Sequence, residues 1–481
     1  MSTRRALAFS FLDRYASLVL SIGSSMVIAR LLTPAEIGVF SVTMVLTTVV
    51  VSLRDLGAGQ YLVQEKELTP DRLRAAWTVS LGTGLLAAVI VLIAARPVAL
   101  FYNEPRMFDI MLVIAVNFAI NPFGSLTYAW LMREMRFDAL ALMRFLANLA
   151  GASATIYLAW RGWGSISLAI GALLSTVVNG AVASFFRPPD FPLRPTNLGI
   201  RAVVTMGSKF SAHGLLGVLG ASAAEVLLGK LQSLANAAMY SRANGLGSMF
   251  QRLVLDATNV VAAPMFAREA RNEKGDVNAS FLRTVSYTTA IGWSFFLGLA
   301  LMAFPALRLL YGPQWDGAAT ATRLIALAYI IGTTGSMCPT VLMATGMPGT
   351  MVKVTALTVI FQLIVISIGS TFSLNATAMA LAVSSLFGAI LWLRAAQRVV
   401  RFTWTALGKV LISSATVALI TAIAPLCSVV IYGWRPDVEF APLALSLIGG
   451  FSLLVFAVHV VDHPLHHEMA KILAQLPWRR P

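Results

Sequence analysis

Arg14, Lys209 and Arg242 stand inside stretches of sequence that are otherwise apolar, and the polar residues around them fall at helical spacing. Ser10, Asp13, Arg14, Ser17, Ser21, Ser24 and Ser25 recur at intervals of three and four, so they share one helix face. Asn236, Tyr240, Asn244, Ser248 and Gln251 or Arg252 repeat the pattern, and a third stretch carries Lys209, His213 and Glu225. Ionised side chains are costly in hydrocarbon, so such stripes need partners or water. Cations outnumber acids in these stretches, which fits a cavity that accepts an anion. Arginine meets phosphate oxygens with two parallel hydrogen bonds, and lysine supplies a mobile point charge. Arg14, Lys209 and Arg242, with Arg30, Lys230 and Asn244 beside them, are therefore the candidate substrate-binding residues, and Asp13, Glu225 and His213 the candidates for coupling. Internal pairing, as of Arg14 with Asp13 or Glu225, and snorkelling to the interface are the purely structural alternatives.

A second feature concerns movement. Asn117, Asn121 and Pro122 form N-x-x-x-N-P within an apolar stretch, and proline removes one helical hydrogen bond, permitting a kink. Asn117 and Pro122 are the gating candidates; a static kink is the plainer reading. Gly332, Gly335 and Pro339 pose the same choice.

The elements that must hold these residues follow from composition. Of 481 residues, 58% are hydrophobic and 12% charged, with a mean hydropathy of +0.77, whereas a soluble domain carries about 25% charged residues. Apolar stretches of roughly 20 residues, long enough to span a bilayer, follow one another nearly end to end. The expected fold is an all-α polytopic membrane protein with about 14 transmembrane helices, 12 being the lower count. Alternation of the outer-membrane barrel type is absent. The net charge of +15 is spread through short connections and not gathered on a soluble face, which argues against a nucleic-acid partner. Every second connection is basic: Arg4 and Arg5; Lys66, Arg72 and Arg74; Arg133 and Arg136; Arg187, Arg194 and Arg201; Arg268, Arg271 and Lys274; Arg394, Arg398 and Arg401. Under the positive-inside rule these connections face the cytoplasm, as do both termini. The first span reads as a retained helix and not as a removed signal peptide.

An internal repeat sets the architecture. "ARLLTPAEIGVFSV" from Ala29 is echoed by "GKLQSLANAAMYSR" from Gly229, which places Arg30 on Lys230, Ala35 on Ala235, Phe40 on Tyr240 and Ser41 on Ser241. "LFYNEP" from Leu100 resembles "LLYGPQW" from Leu309. The chain reads as two parallel six-helix bundles, 1–186 and 201–402, joined by a proline-rich cytoplasmic linker, 187–200. An additional helix pair, 403–462, and a cytoplasmic tail, 463–481, follow. Parallel repeats place substrate between the halves. Within the repeated phrase, Thr33 caps a helix that starts at Pro34, with Glu36 at its positive end. "QEKELTPDRLRAAW", Gln64 to Trp77, reads as a surface helix capped by Thr69, and "HHEMAKILAQLPWRR" as an amphipathic tail.

Catalytic signatures are missing. The chain has no Walker loop, H-E-x-x-H or G-x-S-x-G, and its two cysteines, Cys338 and Cys427, form no C-x-x-C pair. His459 and His463 have metal-ligand spacing, but Pro464 breaks the helix there, so no metal and no cofactor is expected. An ion gradient, the membrane potential or downhill consumption of substrate must drive any transport.

"ARLLTPAEIGVFSV", "LRDLGAGQYLVQEKELT" from Leu53, "ALFYNEP" from Ala99, "LMREMRFDALA" from Leu131 and "LYGPQWDGAA" from Leu310, in this order, resemble bacterial polysaccharide flippases of the Wzx type, in the multidrug/oligosaccharidyl-lipid/polysaccharide exporter superfamily. The likeness runs roughly from residue 5 to 400. It implies an inner-membrane protein, not an enzyme, that turns polyprenyl-pyrophosphate-linked oligosaccharide from the cytoplasmic to the periplasmic leaflet for exopolysaccharide, capsule or O-antigen synthesis. Alternating access of two bundles around a cationic cavity, coupling to protons or sodium, and contact with membrane lipids, a polymerase and export machinery are implied with it. The family offers no residue-level motif to transfer, so the site residues rest on position alone. The alternatives are a cation-coupled multidrug exporter, a lipid II flippase, and a membrane glycosyltransferase or polymerase of the same pathway.

Overall fold

The computed structural model describes residues 17, 19–54, 58–65, 67–188, 191, 194–272, 275–433, 440–466 and 468, without the side chains of 49, 52–54, 60, 64, 202, 206–216 and 219. Among the described residues the chain is helical and contains no strand. The helices are α1 (Val19–Leu31), α2 (Pro34–Arg54), α3 (Ala58–Gln64), α4 (Pro70–Tyr102), α5 (Arg106–Ile120), α6 (Pro122–Arg133), α7 (Phe137–Trp160), α8 (Ile166–Phe186), α9 (Ile200–Leu231), α10 (Leu234–Phe250), α11 (Asp256–Arg271), α12 (Val277–Leu301), α13 (Ala303–Tyr311), α14 (Ala319–Thr333), α15 (Cys338–Ala344), α16 (Pro348–Phe372), α17 (Leu374–Val400), α18 (Trp404–Tyr432) and α19 (Phe440–Val460). Among the described residues nine helical segments are long and apolar enough to cross a membrane, or ten with α5 and α6 taken as one bent span. Contacts gather into two compact units, 1–238 and 239–481.

Local chemistry starts and stops these helices. Thr69 accepts a bond from the Arg72 N–H at 3.4 Å with Pro70 at the first helical position. Asp276, Ser373 and Thr403 cap α12, α17 and α18 in the same way. Asn103 ends α4 in the left-handed region, φ 53°. The surface helix expected over Gln64 to Trp77 is a different object: α4 runs unbroken for 33 residues, so Asp71–Trp77 is the first part of a span. Arg72, Leu73, Arg74, Ala75 and Ala76 are good helix formers, and no proline follows Pro70 until Pro97.

The repeat is visible in the backbone of the first unit. Leu32 N–H bonds Ile28 O and Ile37 N–H bonds Thr33 O; 200 residues on, Gln232 N–H bonds Leu228 O and Ala237 N–H bonds Ser233 O. The Glu36 N–H donates to Thr33 Oγ1 at 3.3 Å, and the Asn236 N–H to Ser233 Oγ at 3.1 Å. In the first copy Glu36 Oε2 also accepts from the Thr33 N–H at 2.8 Å, closing a capping box. The two turns pack together. A Cβ on Gly38 would sit 1.9 Å from the Leu234 carbonyl oxygen, so only glycine lets α2 cross there.

In the second unit α18 and α19 lean on α12 through small hydroxyls. Thr289 Oγ1 donates to Ser414 Oγ at 2.8 Å, and Ser446 Oγ to Ser428 Oγ at 3.0 Å. Hydrogen bonds between membrane helices contribute about 0.6 kcal/mol each, and small side chains let backbones approach. His463, fully buried, closes this seam with its Nε2 2.8 Å from Ser286 Oγ.

Candidate functional site

The site begins with a helix that is too polar for lipid. Neither α10 nor α11 is apolar enough to count among the membrane-spanning or shorter apolar helices of the described residues. Between them the chain makes one π-turn, Gln251–Leu255, whose wider coil re-aims the side chains that follow. Along this stretch Asn244 and Ser248 are half-buried, and Gln251, Arg252 and Asp256 are exposed. Polar groups at membrane depth that are not shielded by protein require water beside them.

Arg242, half-buried on α10, is held by aromatic rings. Its guanidinium carbon lies 5.1 Å from the Tyr311 ring centroid and 5.5 Å from that of the fully buried Trp315. Such contacts are worth about 0.5–2 kcal/mol each. The Tyr311 side chain also hydrogen-bonds the guanidinium, which fixes the cation in place. Burial pushes the Tyr311 phenol up, and the neighbouring Arg242 cation pulls against that shift. Arg308 Nη1 meets Asp316 Oδ2 at 3.0 Å on the same segment.

Asn244 is fixed from the opposite side. Its Oδ1 accepts from the Tyr329 hydroxyl at 3.1 Å, and the Tyr329 ring lies so close to Gly247 that a Cβ there would be 2.3 Å away. Gln251 Nε2 reaches Asp256 Oδ1 at 3.4 Å across the π-turn, and Asn259 Oδ1 accepts from Thr340 Oγ1 at 2.7 Å. The arrangement can bind an anion through arginine and present amides and hydroxyls to a polar ligand. It contains no nucleophile with a base in hydrogen-bonding reach.

The other sequence candidates fall elsewhere. Arg14 and Asp13 lie outside the described residues, and Lys209 and His213 sit on α9 with side chains that are not described. Glu225 is half-buried on α9. Arg30 is exposed at the end of α1. Lys230, at the end of α9, stands 4.2 Å from the Phe101 ring centroid and donates to the Phe101 carbonyl, so it caps the C-terminal end of α4. Asn117 Oδ1 accepts from Thr176 Oγ1 at 3.2 Å, tying α5 to α8. Just beyond, Asn121 and Pro122 join α5 to α6 at a bend of 47°. His459 and His463 do not converge: His463 Nδ1 accepts from the Leu465 N–H at 3.2 Å, and His459 Nδ1 instead meets His466 Nε2 at 3.0 Å. The π-turn and the Tyr329 clamp on Asn244 went unread in sequence, although Tyr329 is the lone aromatic residue of α14.

Comparison with known proteins places this geometry in context. A family model described as polysaccharide biosynthesis protein matches residues 27–320. The succinoglycan biosynthesis transport protein ExoT of Rhizobium meliloti (strain 1021) is 24% identical over 334 residues, 67% of this chain. The lipopolysaccharide biosynthesis protein WzxC of Escherichia coli (strain K12) is 21% identical over 66% of it. The matches span 65% of the length of each of these two relatives. Among solved structures, the lipid II flippase MurJ in an inward closed conformation superposes with a TM-score of 0.76 at 13% identity, covering 95% of this chain and 99% of MurJ. An inward-facing multidrug resistance MATE family transporter gives 0.63 at 14% identity, covering 83% and 99%. These bear out the resemblance and the all-α polytopic fold of a multi-pass membrane protein. With the fold of the MurJ and MATE transporters and a family match over most of its length, the chain belongs to the polysaccharide biosynthesis protein family.

Proposed function

We propose that this protein moves polyprenyl-pyrophosphate-linked oligosaccharide from the cytoplasmic to the periplasmic leaflet of a bacterial inner membrane, for exopolysaccharide, capsule or O-antigen synthesis, with both its termini in the cytoplasm. The observation that carries the reading is Arg242, held over Tyr311 and Trp315 on a helix too polar to face lipid. A pyrophosphate cannot enter hydrocarbon unaided, and pre-placed guanidinium groups on a wet face replace the water it leaves. Arg242 and Arg252 contact its oxygens, and Asn244, oriented by Tyr329, receives the polar groups beyond. Arg14, Lys209, Arg30 and Lys230 are further candidate cations for the same substrate.

Transport proceeds by alternating exposure of this face to the two sides, with the bend at Asn117 and Pro122 as a moving part. Asp13, Glu225 and His213 take up the proton or sodium ion that couples the cycle. A polymerase and export machinery remove the delivered substrate, which keeps net movement outward. Reconstitution tests the reading: in vesicles holding the purified protein, lipid-linked oligosaccharide becomes accessible from the opposite leaflet, and Arg242→Ala and Arg252→Ala slow this about tenfold or more. Vesicles in which wild-type protein moves no such lipid would refute it.

A further inference from the structure

The helix break between α14 and α15 opens a cavity away from the arginine face. From Thr333 to Cys338 the backbone closes three-residue turns: Gly335 N–H bonds Gly332 O at 3.1 Å, Ser336 N–H bonds Thr333 O at 3.2 Å, and Cys338 N–H bonds Gly335 O at 3.1 Å. Thr334 N–H bonds Ile331 O, so its usual helical acceptor, Ile330 O, is taken by the Trp293 indole N–H at 2.8 Å. Against α16 and α17 this leaves about 250 Å³, walled in part by Ser336, Thr358, Gln362, Ser384, Ser385 and Trp392. Thr358 and Gln362 straddle the middle of α16, so the cavity lies near mid-span.

Its chemistry is selective. Ser336 Oγ donates to Thr333 O at 2.8 Å, Thr358 Oγ1 to Thr355 O at 2.9 Å, and Ser384 Oγ to Ala380 O at 2.8 Å. These three hydroxyls have committed their one proton and present lone pairs. No charged side chain lines the space. Gln362 adds an amide that both donates and accepts, Ser385 a further hydroxyl, and the rest of the wall is largely apolar, so the space offers an anion no counter-cation and a metal ion no negative counter-charge. A neutral molecule rich in O–H donors suits it. The space is large enough to take a single sugar ring.

We propose that this cavity is a subsite for one neutral sugar unit of the lipid-linked oligosaccharide, accepting hydrogen bonds from the sugar hydroxyls; the inference rests on the flippase reading. It sets which sugars pass, while the arginine face holds the pyrophosphate common to all such lipids. A Cβ on Gly335 would make ordinary contacts, 3.5 Å from Ala389 Cα and Trp392 Cβ, so Gly335→Leu fills the cavity without forcing the helices apart. Gln362→Leu keeps the volume and removes the amide.

The test uses the full chain in vesicles with two probes, polyprenyl-pyrophosphate-linked oligosaccharide and sugar-free polyprenyl pyrophosphate. Both variants should raise the apparent KM for the sugar-bearing lipid about tenfold and leave the Kd for the sugar-free lipid unchanged. Equal weakening toward both lipids, or no change in KM, overturns the subsite while leaving the flippase reading intact. A sodium dependence of transport that both variants abolish, with the KM for sugar-bearing lipid unchanged, assigns the cavity to a cation and also overturns it. Wild-type protein that moves no sugar-bearing lipid overturns the flippase reading and the subsite together.

Discussion

Val42 and Arg242 stand at equivalent places, each nine residues past the cap of the same repeated turn. Val42 is fully buried, and its Cγ2 lies 2.9 Å from where a Cβ on Gly229 would be. Arg242 is stacked on Tyr311 and Trp315. The difference continues along the sequence: Met44 answers Asn244, Ser52 answers Arg252, and Leu56 answers Asp256. The turns keep the same hydrogen bonds because a cap and an i→i+4 bond need only a hydroxyl and a backbone. The side chains beyond them follow what each helix faces.

The comparison breaks most visibly at Gly38. Gly38→Val drives a side chain into the Leu234 carbonyl, and overpacking of this kind costs about 3 kcal/mol; the variant should melt well below wild type in detergent, whereas Ala238→Val, at the equivalent place, does not meet that carbonyl. Next comes Arg242→Ala, expected to lower transport per folded protein about tenfold. Arg242→Lys recovers part of it by keeping the charge but not the stacked plane, and Val42→Ala costs stability without changing that rate.

The pair α18 and α19 sharpens the contrast, because it has no counterpart in the first copy. Burial lowers the pKa of His463 to about 4. A histidine kept neutral in the folded state stabilises fully above its ordinary value near 6.5, and that contribution fades as pH falls through the interval down to about 4. By pH 5.5 the loss is on the order of 1 kcal/mol, seen as a lowered melting temperature that His463→Asn makes less dependent on pH. The smallest effect is expected at the caps. Thr33→Ala should cost about 1 kcal/mol because it dismantles a capping box, and Ser233→Ala somewhat less because its turn lacks the carboxylate.

Much of this frame could be read before any coordinates. The 200-residue offset, the caps at Thr33 and Thr69 and the polar stripe of α10 are periodic or local features, and the structure keeps them. What sequence could not supply depends on partners distant along the chain. Lys230 is legible as a cation but the Phe101 ring against it is not, and the aromatic clamp on Arg242 needs Tyr311 and Trp315 from a separate helix and a 3₁₀ turn. The π-turn has no residue signature in Gln251–Leu255, and the cavity beside Gly335 forms only where three helices fail to meet.

The claim that the rest depends on is that one face of α10 is wet. Single cysteines placed along α10 in a Cys338→Ser, Cys427→Ser background, and challenged with a membrane-impermeant thiol reagent in intact membranes, test it directly. The account predicts labelling at positions 244, 248 and 252 and protection at the buried positions 243, 246 and 250. Protection along the whole helix, with labelling at 244 and 248 only by a lipid-soluble reagent, would contradict it.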